Sequence, residues 1–232
     1  MSKLADQIST AVLLLANTLH SIGEYAALTT SDVLGLEDAL LFVAKRADLM
    51  YSKCRASASS MLACCMSPSQ ASQFLTDALP DTISKRLSVA CHNSPEGCVI
   101  AGPTALLVEA AECCKAKGVK SKLLDVSYGF HSSAMDPILD DLEEAASSMA
   151  IHEPSVQLGS SVRGKLLDPQ EPLSTSYLAM QTRQPVLFME LLREIQAENA
   201  GVSLQVVEVG PSPSSKSLST GAEYMTNSTN RG

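Results

Sequence analysis

Short apolar runs alternate along the chain with stretches in which apolar residues recur every three or four positions. The first pattern is typical of buried strands and the second of amphipathic helices. Helical spacing is clearest from Leu36 to about Cys54, and the residues at this spacing are Leu40, Val43, Ala44, Ala47 and Met50. A shorter helix is expected from Ser21 to Leu28. Residues 11–16 fit a short buried strand and the end of an apolar helix equally well.

Between residues 59 and 127 the pattern changes to short units bounded by turn residues. The predicted elements, in order, are a strand at 61–64, a helix at 69–79, strands at 87–91 and 98–101, a helix at 104–117 closed by Gly118, and a strand at 122–126. This β-α-β-β-α-β order is the split βαβ, ferredoxin-like arrangement. We therefore expect residues 59–127 to form a small inserted subdomain.

The chain after this module returns to longer elements. After a hinge at 128–131, the predicted elements are a helix at 137–149, a strand at 156–160, helices at 175–181 and 185–196, and a strand at 206–209. Residues 1–58 and 128–215 are then expected to form a large subdomain of an α/β fold. Residues 216–232 continue a Ser/Thr/Gly/Asn-rich stretch with little apolar content, which predicts a disordered tail.

Composition narrows the function classes. The chain has 232 residues, is 45% hydrophobic and carries a net charge of −8 without a basic cluster, so we expect a packed core and no nucleic-acid partner. The seven cysteines are an odd number without disulfide-scaffold spacing, which favours reduced thiols in a cytoplasmic protein. The apolar run Thr10–Ala16 is too short to span a bilayer, so no membrane association is expected.

The segment from His20 to Tyr25 contains most of a nucleophile elbow. An elbow is written G-x-S-x-G because its serine lies on a strained strand-to-helix turn that flanking glycines permit. Gly23 is present after Ser21, whereas Leu19 occupies the position of the first glycine. Ser21 is thus a candidate nucleophile, but a serine at this position also fits the cap of the following helix.

Further motifs follow the elbow in a fixed order along the chain. They are HSIGEYAAL at 20–28, KRADLM at 45–50, NSP at 93–95, VIAG at 99–102, YGFHS at 128–132, RQPV at 183–186 and EVGP at 208–211. This ordered set resembles the malonyl-CoA:acyl-carrier-protein transacylase family, and within it the acyltransferase domain of iterative fungal-type polyketide synthases. The resemblance covers residues 19–215. It implies an α/β-hydrolase-like large subdomain with the ferredoxin-like module inserted.

The resemblance also implies catalytic roles. Ser21 matches the serine that is acylated and His131 the histidine that removes its proton, since a neutral alcohol attacks a thioester slowly. Arg46 matches the arginine that holds the free carboxylate of a malonyl group, which a planar guanidinium grips with two hydrogen bonds. Without the motifs, His131 fits a surface or core histidine, and Arg46 fits a solvated helix arginine.

Five further positions match residues that line the family's pocket. Ile22 and Phe130 correspond to positions that separate malonyl from branched extender units, a soft preference because one methylene is worth only about 1–3 kcal/mol. Met50 matches a pocket methionine, although an apolar helix face also requires it. Gln181 matches a polar residue that helps to orient the histidine. Asn93 matches a residue facing the cleft, or is an ordinary turn-forming Asn before Ser-Pro.

The implied reaction has two steps. Ser21 takes a malonyl group from malonyl-CoA, and the phosphopantetheine thiol of an acyl-carrier protein then removes it, in polyketide or fatty acid biosynthesis. The Ile22 N–H, directly after the nucleophile, is one natural donor to the tetrahedral oxyanion. The chain is expected to bind no cofactor and no metal of its own.

One part of the family pattern has no match in this sequence. The second oxyanion donor comes from a glycine- and glutamine-rich turn upstream of the nucleophile, and nothing like it occurs in the twenty residues before Ser21. We therefore expect the N-terminal part of the large subdomain to be missing or supplied by another chain. Two other readings remain: an impaired remnant that only interacts with carrier protein, and a serine hydrolase, against which Arg46 counts.

Overall fold

The computed structural model describes residues 20–168 and 173–200, and the backbone of two strands at 205–208 and 223–226. The helices are α1 (Gly23–Thr30), α2 (Leu36–Lys53), α3 (Pro68–Ala78), α4 (Asp81–Ser84), α5 (Thr104–Ala116), a 3₁₀ helix (Ser133–Ile138), α6 (Leu139–Ser147), α7 (Thr175–Arg183) and α8 (Phe188–Glu198). The strands are β1 (Ser59–Cys64), β2 (Ser88–Ser94), β3 (Gly97–Pro103), β4 (Ser121–Leu123), β5 (Gly159–Ser160), β6 (Lys165–Leu166), β7 (Gln205–Glu208) and β8 (Glu223–Thr226).

Strands β1 to β4 form one antiparallel sheet in the order β2-β3-β1-β4. Helix α3 follows β1 and helix α5 links β3 to β4, so these elements occur in the β-α-β-β-α-β order that the sequence predicts. A capping box begins α3: the Gln70 N–H donates to the Ser67 hydroxyl, and the Ser67 N–H donates to the Gln70 side chain. Pro68 occupies the first helical turn, where its missing N–H is harmless.

The two faces of this sheet have different partners. Helices α3 and α5 cover one face, where buried residues such as Leu62, Phe74 and Leu107 form a single cluster. The other face packs against Val186, with Phe130 and Phe188 at the margin of the contact. Backbone hydrogen bonds from the Val186 N–H to the Ala90 carbonyl (2.9 Å) and from the His92 N–H to the Val186 carbonyl (2.8 Å) fix this contact. The segment between α7 and α8 therefore runs beside β2.

A second core lies among the helices outside the sheet. Its buried residues come from α1, α2, the 3₁₀ helix, α6 and α7, and include Leu28, Phe42, Met135, Leu142 and Leu178. Helix α1 contacts both α2 and, through its side chains, α7. The functional residues described below lie where this helical core meets the sheet.

The predicted bounds of α2 are confirmed to within one residue, but its predicted buried face is wrong in part. Leu40 is 62% exposed, and Ala44 and Ala47 are exposed as well. The side chains that turn inward are Ala39, Phe42, Arg46, Leu49 and Met50. Apolar residues recur at helical spacing on both sides of this helix, so periodicity alone cannot choose between the two faces.

Three other predicted elements differ in extent. The helix expected at 137–149 begins as the 3₁₀ helix, in which the Ser132 hydroxyl accepts from the Ala134 N–H, and continues as α6 only to Ser147. The strand expected at 156–160 is reduced to the two residues of β5. The helix expected from Pro185 starts at Phe188, because Val186 is paired with the sheet.

Near the C-terminus, β7 pairs in parallel with β8. The strand predicted at 206–209 is confirmed with bounds Gln205–Glu208. Glu223–Thr226 also form a strand, which differs from the disordered tail that the sequence predicts; the rest of that tail and the element predicted at 11–16 lie outside the described residues. All seven cysteines lie in the described part and are free thiols.

Candidate active site

Ser21 occupies a strained turn immediately before α1. Its φ of 53° lies in the left-handed region, which is uncommon for a residue with a side chain and recurs at functional sites. The turn is held by backbone hydrogen bonds from Gly23 N–H to the His20 carbonyl (3.1 Å) and from Glu24 N–H to the Ser21 carbonyl (2.9 Å). This is the geometry that an elbow serine requires. Leu19, which occupies the position of the first elbow glycine, lies outside the described residues.

His131 faces Ser21 from the loop after β4, with its Nε2 2.6 Å from the Ser21 Oγ. The loop passes close to β1: the Gly129 N–H donates to the Ser59 hydroxyl over 2.8 Å, and a Cβ on Gly129 would lie 3.2 Å from the Ser60 carbonyl oxygen. His131 itself has a φ of 57°. Both members of the pair therefore occupy left-handed backbone conformations.

The Gln184 carbonyl fixes the tautomer of His131. It lies 2.9 Å from the His131 Nδ1, and because a carbonyl only accepts, Nδ1 carries the proton and Nε2 is free to accept from Ser21. Pro185 explains this position, since the residue before a proline avoids the helical region; Gln184 accordingly ends α7 with extended φ and ψ of −76° and 152°. A backbone carbonyl thus takes the place of the carboxylate in a Ser-His-Asp triad.

Burial lowers the pKa of His131 to about 4, opposed by the hydrogen bond to Gln184 and reinforced by the nearby charge of Arg46. The imidazole is therefore neutral near pH 7, the state in which it can accept a proton. The side chain is only 2% exposed, so this environment excludes most water.

Gln181 contacts the nucleophile rather than the imidazole through its side chain. Its Nε2 donates to the Ser21 carbonyl over 2.6 Å, and the whole residue is buried. The Gln181 side chain therefore holds the turn of the nucleophile, and the Gln184 carbonyl is hydrogen-bonded to the His131 ring. Among the described residues, the Gln181 Oε1 has no hydrogen-bond partner.

Arg46 projects from α2 into the same region. It is 3% exposed, its Nε donates to the Thr182 hydroxyl over 3.0 Å, and its guanidinium carbon lies 5.6 Å from the centre of the Phe130 ring. None of the ion pairs among the described residues involves Arg46. Burial lowers the pKa of this guanidinium. A buried cation without a carboxylate partner is costly, so the site is suited to an anionic group.

The remaining predicted residues surround this centre at different depths. Ile22, the N-cap of α1, is 51% exposed. Met50 is buried in the helical core cluster, which Phe130 also contacts. Asn93 lies in β2 rather than in a turn, and its Oδ1 is 2.9 Å from the His20 Nε2. Asn93 therefore links the sheet to the residue before the nucleophile.

A buried carboxylate on α1 completes the surroundings. Glu24 is 1% exposed and accepts hydrogen bonds from the Tyr177 and Ser161 hydroxyls. The Ser160 hydroxyl lies 2.5 Å from the Tyr177 hydroxyl. Burial raises the pKa of Glu24, with these hydrogen bonds opposing the shift. The network ties the first turn of α1 to α7, the helix that also carries Gln181.

Sequence reasoning missed Gln184, Thr182 and Glu24. Gln184 and Glu24 lie within motifs already singled out, at 183–186 and 20–28, but their contacts depend on which elements pack together. Thr182 stands next to Gln181 and carries no signal of its own. Among the described residues, no group of three or more His, Cys, Asp or Glu could hold a metal ion. No helix in the described ranges is long and apolar enough to cross a membrane.

Comparison with known proteins identifies relatives of the same family that the sequence motifs resemble. A family model described as the acyl transferase domain matches residues 19–218. The non-reducing polyketide synthase PFUR17_0229 of Pseudevernia furfuracea is 40% identical over 195 residues, which are 84% of this chain and 9% of that protein. The chain thus spans about a tenth of the length of the curated relatives it matches.

Solved structures give the same result. The acyltransferase domain from the second module of the salinomycin polyketide synthase matches with a TM-score of 0.72 and 31% identity, over 83% of this chain and 42% of that one. The malonyl CoA-acyl carrier protein transacylase from Clostridium perfringens has a TM-score of 0.78 over 97% of this chain and 70% of its own, and at 24% identity this likeness shows the fold alone. The resemblance and the α/β fold class predicted from the sequence are confirmed.

Proposed function

The chain belongs to the acyl transferase domain family, and from that premise we propose that it moves a malonyl group from malonyl-CoA to an acyl-carrier protein through a malonyl-serine intermediate. The step belongs to polyketide or fatty acid biosynthesis. The acceptor is the phosphopantetheine thiol of the carrier, and the chain needs no cofactor of its own.

The Ser21–His131 pair supplies the chemistry. As the Ser21 Oγ attacks the thioester carbonyl, its proton passes to His131 Nε2, 2.6 Å away. The C–S bond breaks, and the coenzyme A thiolate leaves with that proton. In the second half-reaction the carrier thiol gives its proton to His131, attacks the malonyl ester, and Ser21 regains the proton as it leaves. The Ile22 N–H, at the start of α1, is a natural donor to each tetrahedral oxyanion.

The burial of Arg46, which has no ion-pair partner among the described residues, is the observation that carries the malonyl assignment. A serine and a neutral histidine serve acyl transfer and hydrolysis equally well, and neither chemistry requires a buried guanidinium beside the pair. Arg46 and His131 share one site, because both are hydrogen-bonded to Thr182. A malonyl carboxylate there would neutralise the guanidinium and place the thioester near Ser21.

The two packed cores support a division into two subdomains. We assign residues 59–127 to a ferredoxin-like small subdomain, and residues 1–58 with 128–215 to an α/β-hydrolase-like large one. The sheet order and the helical core fit this division. In this proposal Asn93 from the small subdomain and Ile22, Met50 and Phe130 from the large one line the substrate pocket.

Intact-mass measurement after exposure to malonyl-CoA tests the proposal. We expect a single malonyl adduct on the wild-type chain that is absent from Ser21→Ala and retained by Ser133→Ala, an exposed serine next to the catalytic loop. Addition of a phosphopantetheinylated carrier protein should then remove the adduct from Ser21 and add it to the carrier. Loss of the malonyl group to water at the same rate as its transfer to the carrier would favour a hydrolase. A wild-type chain that acquires no adduct would favour the inactive, carrier-binding remnant.

A further inference from the structure

Thr182 lies between two functional residues of the site, Arg46 and His131. It is fully buried at the C-terminal end of α7. Its hydroxyl accepts from Arg46 Nε over 3.0 Å and lies 3.3 Å from the Tyr25 hydroxyl, while its carbonyl accepts from the His131 N–H over 3.3 Å. One residue therefore contacts both the buried guanidinium and the backbone of the catalytic base.

The hydrogen bonds around Thr182 have a defined direction. The Tyr25 hydroxyl donates to the Leu178 carbonyl over 3.0 Å, so it accepts from the Thr182 hydroxyl, which in turn accepts from Arg46. Burial raises the pKa of Tyr25 to about 12, so its hydroxyl keeps its proton. The chain of donors runs from Arg46 through Thr182 and Tyr25 to a backbone carbonyl. The Thr182 and Tyr25 hydroxyls therefore each donate one hydrogen bond and accept one.

We propose that Thr182 is a positioning residue that makes the site selective for acyl groups bearing a carboxylate. By engaging Nε, it leaves the two terminal nitrogens of Arg46 as the edge on which a carboxylate can bind with two hydrogen bonds. Through its carbonyl it also fixes the distance of that edge from His131. This inference rests on the proposed function, since it concerns how that same site chooses its substrate.

The first test compares the rates at which malonyl-CoA and acetyl-CoA acylate Ser21 in wild type, Thr182→Val and Thr182→Ser. Valine keeps the shape and removes the hydroxyl, and we expect it to slow malonylation about tenfold or more while changing acetylation little. Serine should restore most of the malonyl preference. Equal loss with both donors would indicate a merely structural role, and an unchanged ratio in Thr182→Val would overturn the inference while leaving the proposed function intact.

A second measurement does not depend on turnover. In isotope-labelled protein the Arg46 Nε–H signal, assigned by its loss in Arg46→Lys, should exchange with solvent about tenfold or more faster in Thr182→Val than in wild type or Thr182→Ser. Unchanged exchange would overturn the inference even if the chain proved inactive. If the valine variant does not fold, Thr182→Cys gives the same comparison, because a thiol is a weak acceptor.

Discussion

At the scale of single residues, the site depends on groups that a motif does not display. Ser21, His131 and Arg46 could be predicted from the sequence because their side chains define the ordered motifs. Gln184 could not, since it acts through its backbone carbonyl, and the signal for it is the proline that follows. Thr182 could not be predicted because only packing brings α2 and α7 together.

The low pKa of His131 predicts how acylation depends on pH. Because burial lowers that pKa to about 4, the base stays neutral well below the pKa of about 6.5 of an ordinary histidine. We expect the rate of Ser21 malonylation to hold as pH is lowered and to fall with an apparent pKa near 4. Single-turnover rates across this range provide the measurement. An acid limb centred near 6.5 would contradict the buried environment.

The same shift predicts how stability depends on pH. The unfolded chain binds a proton at this position at a higher pH than the folded chain, so the contribution of His131 is complete above about pH 6.5 and is lost as pH falls toward 4. The free energy of unfolding from urea titrations should decline across that window in wild type. The decline should be smaller in His131→Gln, while the exposed control His152→Gln should retain it.

At the scale of elements, α7 holds the other parts of the site in register. Gln181 binds the Ser21 carbonyl, Thr182 binds Arg46, and Tyr177 binds Glu24 on α1. The existence of α1, α2 and the sheet strands follows from apolar periodicity, because burial sets that period. Periodicity did not predict where α6 and α8 begin, or that β5 is so short. The 3₁₀ turn before α6 and the pairing of Val186 with β2 depend on tertiary contacts.

The link between α1 and α7 predicts that substitutions of Glu24 lower the free energy of unfolding by different amounts. Glu24→Ala leaves the Tyr177 and Ser161 hydroxyls without this acceptor and creates a cavity, so we expect a loss of about 2–4 kcal/mol in the free energy of unfolding. Glu24→Gln keeps the volume and one acceptor, with an expected loss of about 1 kcal/mol. Burial raises the pKa of Glu24, so ionisation of this carboxyl group as pH rises destabilises the folded wild-type chain. Gln cannot ionise, so the stability difference between wild type and Glu24→Gln should shrink toward neutral pH.

Urea titrations with an unchanged slope would measure these differences. Glu37→Ala, at an exposed acidic position in the first turn of α2, is the matched control and should stay within about 0.5 kcal/mol of wild type. Equal stability of Glu24→Ala and Glu37→Ala would show that the buried network contributes nothing to the packing of α1.

At the scale of the whole molecule, the site lies where two cores meet, and the fold class was predictable because the element order differs between them. One core is formed by the sheet with α3 and α5, and the other by the remaining helices. The outer face of α2 was not predictable in the same way. Large apolar side chains on this helix are exposed: Leu36 (65%), Leu40 (62%), Leu41 (59%) and Tyr51 (84%).

This exposed stripe predicts that the isolated chain associates with itself. Apolar surface of these side chains would be removed from water when two copies meet, at roughly 25 cal/mol for each Å² buried. In sedimentation velocity, the average mass of the wild-type chain should increase with protein concentration. The double variant Leu40→Gln, Leu41→Gln should be closer to monomeric at each concentration, with an unchanged far-ultraviolet circular dichroism spectrum. The control is Val108→Gln, which removes an exposed apolar side chain from α5 (42% exposed) and should leave association unchanged. Wild-type protein that stays monomeric at all concentrations would contradict the prediction, as would a double variant that associates as strongly as wild type.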